Sequence, residues 1–306
     1  MKTDVVIVGA GPAGASAALW ARSLHLAPEL LESAAGPGGQ LPIIHFHPLD
    51  LAGVGSGDGA AITTVLTQQL AGARIALRYQ SPAVALEGGG EVNPPRVLTA
   101  DGVVHECDAV LVASGVRRRT LGIPGESEFE GRGVSSSASR DRAVFAGRPV
   151  VVVGGGDAAF ENALLLSEVG CQVTLVMRDL PRARHEFLEL VSLDSRIEVL
   201  GAARITQIRG RDWVNSVRIE SEDRAFERAV EGIVIKVGVI PNTEWCGGTL
   251  ELDPDGYVRV DAALRTSKPR VWAAGDVTRP AVPSLAMAIG QGAQAMGAIR
   301  ALLRPA

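Results

Sequence analysis

Three glycines near the start of the chain have the spacing of a turn that can hold a diphosphate. Gly9, Gly11 and Gly14 follow the apolar run Val5–Val8 and precede the alanine-rich segment 15–21. This order predicts a strand, a tight turn and a helix. Gly9 would permit the turn, Gly11 would let the backbone approach a pyrophosphate, and Gly14 would let helix and strand pack closely. The amides and dipole at the start of such a helix favour negative charge.

An acidic residue stands where it could meet a ribose. Glu32 ends the apolar segment 30–31 and lies 21 residues beyond Gly11, and an acid at this distance can accept hydrogen bonds from ribose hydroxyls. A glycine turn alone is weak evidence, because it can be merely structural. Here a strand, a helix and an acid surround it, so we interpret residues 5–32 as a dinucleotide-binding unit.

A second turn of the same kind begins 145 residues after the first. The apolar run 150–153 leads into three glycines at 154–156, a predicted helix at 160–169 and a predicted strand at 172–177. Ala159 takes the place of the third glycine, which the pattern permits. Two such units predict two nucleotide-binding domains, so that one nucleotide can pass a hydride to the other.

The strand of the second unit ends in Met177 and Arg178, without an acid for a ribose. Arg178 and Arg182 stand four residues apart, and two guanidinium groups near the adenosine ribose would suit a 2′-phosphate. This pair favours NADPH over NADH. The alternative is a solvated basic loop in which Asp179 pairs with a neighbouring arginine.

Length and composition indicate two globular domains. The chain has 306 residues, 46% of them hydrophobic and 21% charged, with a net charge of −4 and a pI near 5.8. At roughly 100–200 residues per domain, this length predicts two. No basic stripe indicates nucleic acid, and no apolar run approaches the roughly 18 residues that suggest a membrane span. The first apolar run breaks at Gly9, too early for a signal peptide, so we expect a cytoplasmic protein.

Neither a metal site nor a disulfide framework is predicted. Cys107, Cys171 and Cys246 lie far apart in sequence, and buried structural thiols are the simpler interpretation. His45 and His47 could share a metal ion, but no further ligands accompany them. We interpret the two histidines as part of a loop or strand edge.

Further motifs follow in chain order. They are Gly-Gly-Gln-Leu at 38–41, Val-Ala-Ser-Gly at 112–115, Val-Trp-Ala-Ala-Gly-Asp-Val at 271–277, and a helix predicted from Ser284. With these motifs the chain resembles the low-molecular-weight thioredoxin reductase group of the pyridine nucleotide-disulfide oxidoreductases over nearly its whole length. The resemblance implies an α/β protein with two Rossmann-like, three-layer domains built on parallel sheets, the second inserted into the first.

The same resemblance implies the domain limits and the binding residues. It predicts an FAD-binding domain at 1–117 and 243–306, a nicotinamide nucleotide domain at 118–242, and a homodimer. The predicted FAD-binding residues are Gly9, Gly11, Pro12, Ala13, Gly14, Glu32, Gly39, Gln40, Leu41, Asp50, Val84, Ala113, Gly115, Gly275, Asp276, Leu285 and Ala286. The predicted NADPH-binding residues are Gly154, Gly156, Asp157, Ala158, Ala159, Arg178 and Arg182.

The chain departs from this group where the redox-active cysteines should stand. In thioredoxin reductases a Cys-x-x-Cys follows Gly-x-Gly-Val-Ser, but Ser137 and Arg140 occupy the two cysteine positions here. A serine hydroxyl cannot be oxidised reversibly to a disulfide. We therefore predict that hydride passes from NADPH to FAD and that electrons leave for an acceptor other than thioredoxin. That acceptor would be a ferredoxin- or flavodoxin-like protein or a small molecule.

No catalytic side chain is predicted, because the flavin itself would carry the hydride chemistry. Two other functions stay open at this point. The chain could be a non-catalytic FAD-binding protein that acts as a redox sensor or a partner-binding module. It could also reduce disulfides through one isolated cysteine.

Overall fold

The computed structural model describes residues 3–48, 51–52, 57–90 and 93–305, and the chain divides into two compact units. Unit 1 consists of Met1–Arg117 and Ile240–Ala306, and unit 2 of Arg118–Val239. The return crossing thus lies at 239/240, whereas the sequence placed it at 242/243. Asn242 accounts for the difference, because its side-chain amide donates to the Ser114 carbonyl oxygen over 2.8 Å within unit 1.

Among the described residues, unit 1 contains ten strands, two of which lie at its crossings into unit 2, three α-helices and the short 3-10 helices Leu41–Ile43 and Asp276–Thr278. The strands before the first crossing are β1 (Val5–Val8), β2 (Pro28–Leu31), β3 (Ala76–Arg78), β4 (Ala83–Glu87), β5 (Arg96–Thr99), β6 (Val104–Glu106), β7 (Ala109–Val112) and β8 (Val116–Arg118). The helices before that crossing are α1 (Pro12–Ser23) and α2 (Gly59–Gly72).

Unit 2 follows with β9 (Val134–Ser135), α3 (Ala138–Phe145), β10 (Pro149–Val153), α4 (Asp157–Glu168), β11 (Gln172–Val176), α5 (His185–Leu193), β12 (Ile197–Leu200), β13 (Ala203–Gly210), β14 (Val214–Ser221), β15 (Ala225–Ala229) and β16 (Gly232–Ile235). The chain returns through β17 (Val239–Pro241). It then completes unit 1 with β18 (Val271–Ala273) and α6 (Leu285–Leu303).

The central sheet of unit 1 is parallel, with the strand order β18-β7-β1-β2-β3. Its first strand is apolar at every position because helices cover one face and a second sheet covers the other. Val5 and Ile7 pack with α1 and α6 on one face, and Val6 and Val8 pack with β4 and β5 on the opposite face. The antiparallel sheet β4-β5-β6 forms the third layer.

Unit 2 repeats this plan with the parallel order β12-β11-β10-β16-β9 and an antiparallel sheet β13-β14-β15. Val150 and Val152 pack against α3 and α4, whereas Val151 and Val153 pack against β13 and β14. The alternation follows from the two-residue period of a strand. The predicted α/β class, with two three-layer Rossmann-like domains, is confirmed.

None of the helices in the described part of the chain is long and apolar enough to cross a membrane.

Candidate functional site

The glycine turn of unit 1 joins the carboxyl end of β1 to α1. Gly9 has φ +104°, and a Cβ there would lie 2.4 Å from the Ala113 carbonyl oxygen. A Cβ on Gly14 would lie 1.8 Å from the Gly9 carbonyl oxygen. At Gly11 the nearest atom to an added Cβ is the Cα of Gly39, at 3.8 Å. Packing therefore demands the first and third glycines, whereas the middle one would tolerate a Cβ in ordinary contact with Gly39.

Glu32 is buried directly behind this turn. One carboxylate oxygen accepts the Ala10 backbone N–H over 2.7 Å, and the other accepts the Ala34 N–H over 2.8 Å. The side chain thus ties the end of β2 to the turn. The oxygen bonded to Ala34 also accepts the Ser33 hydroxyl over 3.2 Å, whereas the oxygen bonded to Ala10 has a further lone pair for another donor. A bond from a ribose hydroxyl to that oxygen is compatible with the fold and remains a prediction.

The Gly-Gly-Gln-Leu segment crosses the turn at close range. The N–H of Gly38 donates to the Ala10 carbonyl oxygen over 2.8 Å. Gly39 has φ +56° and brings its own Cα next to Gly11. Leu41 is buried and Gln40 is half-buried. A predicted flavin-binding motif and the predicted phosphate turn are therefore neighbours.

The Gly-Asp pair after β18 reaches the same edge of the sheet. Gly275 has φ +81°, and its N–H donates to the Gln291 side chain over 2.8 Å. Asp276 is half-buried, and no donor among the described residues bonds to its carboxylate. Burial raises the pKa of this carboxyl. A desolvated carboxylate without a partner is costly, and hydroxyl donors from a bound ligand would offset that cost.

Helix α6 begins close to α1. Ser284 caps it by accepting the Met287 N–H over 3.2 Å, which leaves the first amides of the helix, at Leu285 and Ala286, without intrahelical acceptors. The Ser16 hydroxyl of α1 donates to the Ile289 carbonyl oxygen over 2.8 Å. This contact draws the start of α6 toward the glycine turn.

The remaining predicted FAD residues differ from one another in position and exposure. Pro12 and Ala13 form the first turn of α1, and Ala113 packs against the glycine turn through its carbonyl. Gly115 has φ +63° with open space beside it. Val84 lies on β4 of the antiparallel sheet and is 47% exposed. Asp50 lies outside the described residues.

Unit 2 has a matching turn between β10 and α4. Gly154 has φ +142°, and a Cβ there would lie 2.2 Å from the Lys236 carbonyl oxygen. Beside Gly156 there is open space, and α4 starts at Asp157 without a side-chain cap. Ala158 and Ala159 complete the first turn of α4. The turn thus leaves open space beside the glycine that precedes α4, whereas Gly39 lies at contact distance from the corresponding Gly11.

The predicted phosphate-binding arginines follow β11 beside this turn. The Arg182 N–H donates to the Gly155 carbonyl oxygen over 2.7 Å, which fixes the loop against the turn. The side chains of Arg178 and Arg182 are exposed, and within the described ranges neither forms an ion pair. Asp179 likewise has no arginine partner there. The structure therefore lacks the ion pair of the alternative interpretation and leaves both guanidinium groups available.

A third arginine in this loop was missed by sequence reasoning. Arg184 donates through its backbone N–H (2.7 Å) and its Nε (2.8 Å) to the carboxylate of Asp157. Asp157 was predicted to bind NADPH, and in the structure it anchors the arginine loop to α4. The spacing of 27 residues carries no local signal for this pair.

The loop that replaces the cysteine pair is closed by its own polar contacts. Ser137 caps α3, with its hydroxyl accepting the Arg140 N–H over 3.4 Å. Arg140 makes a bidentate pair with Asp141, both distances being 2.7 Å. The Ser135 hydroxyl donates to the same carboxylate over 2.5 Å. The two substituted positions therefore hold a helix cap and an ion pair.

All three cysteines are buried and free. Burial raises the pKa of Cys107 and of Cys246 to about 12, and it also raises the pKa of Cys171. A thiol with a raised pKa supplies little thiolate at neutral pH. These side chains are poor nucleophiles where they stand.

The two histidines of the 45–47 segment do not assemble a metal site. His45 is exposed, and the His47 ring nitrogen Nδ1 lies 2.9 Å from the Gly57 carbonyl oxygen. No group of three or more His, Cys, Asp or Glu side chains that could hold a metal ion occurs in the described portion of the chain.

Comparisons with known proteins agree with this geometry. Residues 3–292 match the family described as pyridine nucleotide-disulphide oxidoreductase. The chain is 35% identical over 301 residues to a component of the alkyl hydroperoxide reductase of Pseudomonas putida, and the match covers 95% of this chain and 56% of that protein. It is 33% identical over 299 residues to thioredoxin reductase of Mycolicibacterium smegmatis, with coverage of 95% and 94%. The chain thus spans about half the length of the first relative and nearly all of the second.

Solved structures give the same result. The thioredoxin reductase of Lactococcus lactis matches with a TM-score of 0.81 and 30% identity, over 97% of this chain and 98% of that one. The fold and the family that the motifs predicted are therefore both confirmed.

Proposed function

Because the chain belongs to the pyridine nucleotide-disulphide oxidoreductase family, we propose that it passes hydride from NADPH to FAD and electrons onward to an acceptor other than thioredoxin. Thioredoxin reductase-like members of the family bind FAD and a nicotinamide nucleotide. The observation that carries the proposal is the loop at 134–141, where a helix cap and an ion pair stand in place of two thiols.

Unit 1 would hold FAD. Gly11 leaves room for a pyrophosphate next to the amides of α1, Glu32 offers one carboxylate lone pair to a ribose, and Asp276 offers a desolvated carboxylate to ribityl hydroxyls. The first amides of α6, at Leu285 and Ala286, would favour negative charge on the flavin ring. The bound flavin would supply the hydride chemistry, and these side chains bind and orient it.

Unit 2 would hold NADPH. Gly156 leaves space in front of the amides of α4, and the exposed guanidinium groups of Arg178 and Arg182 can bind a 2′-phosphate. Planar guanidinium groups suit the geometry of phosphate oxygens. The preference for NADPH over NADH rests on these two side chains.

The electron acceptor would be a small redox protein or a small molecule. A disulfide substrate needs an attacking thiolate, and Cys107, Cys171 and Cys246 are buried thiols, two of them with a pKa of about 12. Electrons would therefore pass from the reduced flavin to the acceptor without an intermediate thiol of this chain.

Anaerobic mixing of the FAD-loaded protein with NADPH or NADH tests the proposal. We expect NADPH to bleach the visible absorbance of the flavin faster than NADH does, at equal concentration. The reduced protein should then fail to reduce oxidised thioredoxin while still reducing ferricyanide. Absence of bleaching with either nucleotide would overturn the proposal and favour a non-catalytic FAD-binding protein.

A set of cysteine variants controls for an isolated thiol. Replacement of Cys107, Cys171 and Cys246 by alanine, one at a time, should leave ferricyanide reduction unchanged. Loss of thioredoxin reduction in one variant, together with activity in the parent, would instead support a disulfide reductase.

By likeness to thioredoxin reductases we also propose a homodimer. Light scattering of the full chain should give twice the 31.9 kDa mass of a single chain. The mass of one chain at micromolar concentration would contradict this.

A further inference from the structure

Three strands of unit 2 end side by side at the edge of the sheet that carries the glycine turn. Val153 of β10 pairs with Ile235 of β16, and Val234 of β16 pairs with Ser135 of β9. All three strands are parallel, so the residues that follow them emerge at one edge. Ligands of parallel α/β sheets bind outside the carboxyl ends of the strands. The residue that follows β16 at this edge is Lys236.

Lys236 is half-buried and has no acceptor. Within the described ranges no hydrogen bond or ion pair reaches its ammonium group, although the carbonyl of the same residue packs against Gly154. Burial, followed by repulsion from Arg118, lowers the pKa of Lys236 to about 8. Glu161 acts in the opposite direction but offsets these effects only in part.

Arg118 is a second half-buried cation at this edge. Its Nη1 donates to the Ser136 carbonyl oxygen over 3.1 Å and contacts the Ser136 hydroxyl. Its Nε and Nη2 have no acceptor among the described residues. Burial and repulsion from Arg140 lower the pKa of Arg118. Asp141 balances Arg140 through their bidentate pair. The charge of Lys236 is therefore repelled by Arg118 and attracted by the exposed carboxylate of Glu161.

Two half-buried cations that repel each other raise the free energy of the folded protein unless an anion joins them. We propose that Lys236 and Arg118 form an anion-binding site that takes a phosphate group of the nicotinamide nucleotide. The inference rests on the proposed function, because it names a further part of the same nucleotide site. Neither residue belongs to the glycine turn or to the arginine loop that suggested that site.

The order of the strands indicates which part of the nucleotide would lie beside Lys236 and Arg118. Arg178 and Arg182 follow β11, on one side of β10, whereas Lys236 follows β16, on the other side. If the arginine loop binds the adenosine 2′-phosphate, the nucleotide crosses the glycine turn away from that loop. The phosphate next to the nicotinamide ribose then lies on the side of Lys236 and Arg118.

Binding of NADP⁺ to the FAD-loaded full chain, measured by isothermal titration calorimetry, tests the site without turnover. We expect Lys236→Gln and Arg118→Gln each to raise the Kd of NADP⁺ about tenfold, the effect of one lost charge-assisted hydrogen bond. Both variants should bind 2′,5′-ADP as the parent does, because that probe lacks the nicotinamide phosphate. Arg211→Gln is the matched control, since that side chain is 93% exposed on a distant hairpin of unit 2.

The pH dependence supplies a signature that a merely structural role would not give. In the parent, NADP⁺ binding should weaken between about pH 7 and pH 9, because Lys236 loses its proton there. Arg118 stays charged across this range, because a guanidinium keeps its proton far above it, so Arg118 does not produce the step. Lys236→Arg should keep the affinity and abolish the step. That variant also guards against a loss of binding caused by misfolding.

The outcomes separate the two proposals. Equal Kd values for NADP⁺ in the parent, Lys236→Gln and Arg118→Gln, with flavin bleaching by NADPH intact, would overturn the anion site and leave the function standing. Binding that depends on Lys236, without flavin bleaching, would support the site and overturn the function. Binding of inorganic phosphate that depends on Lys236, with NADP⁺ unaffected, would show that the site takes a free phosphate and overturn the assignment to the nucleotide.

Discussion

The two glycine turns of this chain join a strand to a helix in the same way but have different surroundings. In both, the first glycine is required by a carbonyl oxygen at close range, that of Ala113 in unit 1 and that of Lys236 in unit 2. In both, the middle glycine has room for a Cβ, with Gly39 at contact distance in unit 1 and open space in unit 2. The third position differs, because Gly14 has no room for a methyl group whereas unit 2 accommodates the methyl group of Ala159.

The residues behind the turns differ even more. A buried carboxylate, Glu32, is hydrogen bonded to the backbone of the first turn, whereas exposed arginines and the two cations Lys236 and Arg118 surround the second. The first site is therefore built into the core of its unit. The second is assembled from charges at an edge of the sheet. Substitutions at the first turn should thus change stability together with FAD binding, and substitutions of the charged residues of unit 2 should change affinity alone.

The largest expected effect is at the third position of the turns. Gly14→Ala puts a Cβ 1.8 Å from the Gly9 carbonyl oxygen, so α1 must shift away from β1. We expect the free energy of unfolding of unit 1 to fall by about 3 kcal/mol, with loss of bound FAD. The reverse change, Ala159→Gly, should cost unit 2 only about 1 kcal/mol. Urea denaturation followed by circular dichroism measures both, and equal losses would contradict the comparison.

A smaller effect is expected for the arginine loop, and it should appear in affinity alone. The double variant Arg178→Gln with Arg182→Gln should raise the Kd of NADPH about 100-fold, since each lost bond to a phosphate contributes roughly 1.5 kcal/mol. Affinity for NADH and the urea midpoint should stay as in the parent, because both side chains are exposed. Fluorescence titration measures the Kd, and Arg211→Gln is again the control. A parallel loss of NADH affinity would remove the argument for NADPH.

The smallest effect concerns Asp276 and tests whether unit 1 holds a ligand-directed group. Burial raises the pKa of this carboxyl in the folded state, so the folded protein without FAD binds more protons than the unfolded one above about pH 4. Its stability should therefore fall as pH rises through that range. Asp276→Asn should remove this contribution, stabilise the FAD-free protein at neutral pH and weaken FAD binding. Melting temperatures from about pH 4 to pH 7 provide the test. A parent more stable than the variant at neutral pH would contradict it.

Much of the fold follows from local patterns. The apolar runs at 5–8 and 150–153, each followed by glycines, predicted both central strands and both helices that start at the turns. The predicted helix at 160–169 in fact begins at Asp157 and ends at Glu168, since helix ends depend on capping more than on apolar periodicity. The predicted strand at 172–177 ends at Val176.

The candidate site was predicted only in part. Gly9, Gly11, Gly14 and Glu32 stood out because turn geometry and chain spacing constrain them locally. The pairing of Arg184 with Asp157 carried no such signal. Lys236 and Arg118 were not predicted either, since an isolated lysine or arginine in a sequence is most often solvated.

The sequence by itself determined which segments become strands and which glycines turn the chain, because backbone sterics and side-chain period act over a few residues. It also determined that no thiol pair stands after β9. Only the tertiary structure decided which charges meet. Parallel pairing of β9, β10 and β16 brings Lys236 to the edge that carries the glycine turn, close to Arg118. Burial there removes the water that would otherwise screen their repulsion.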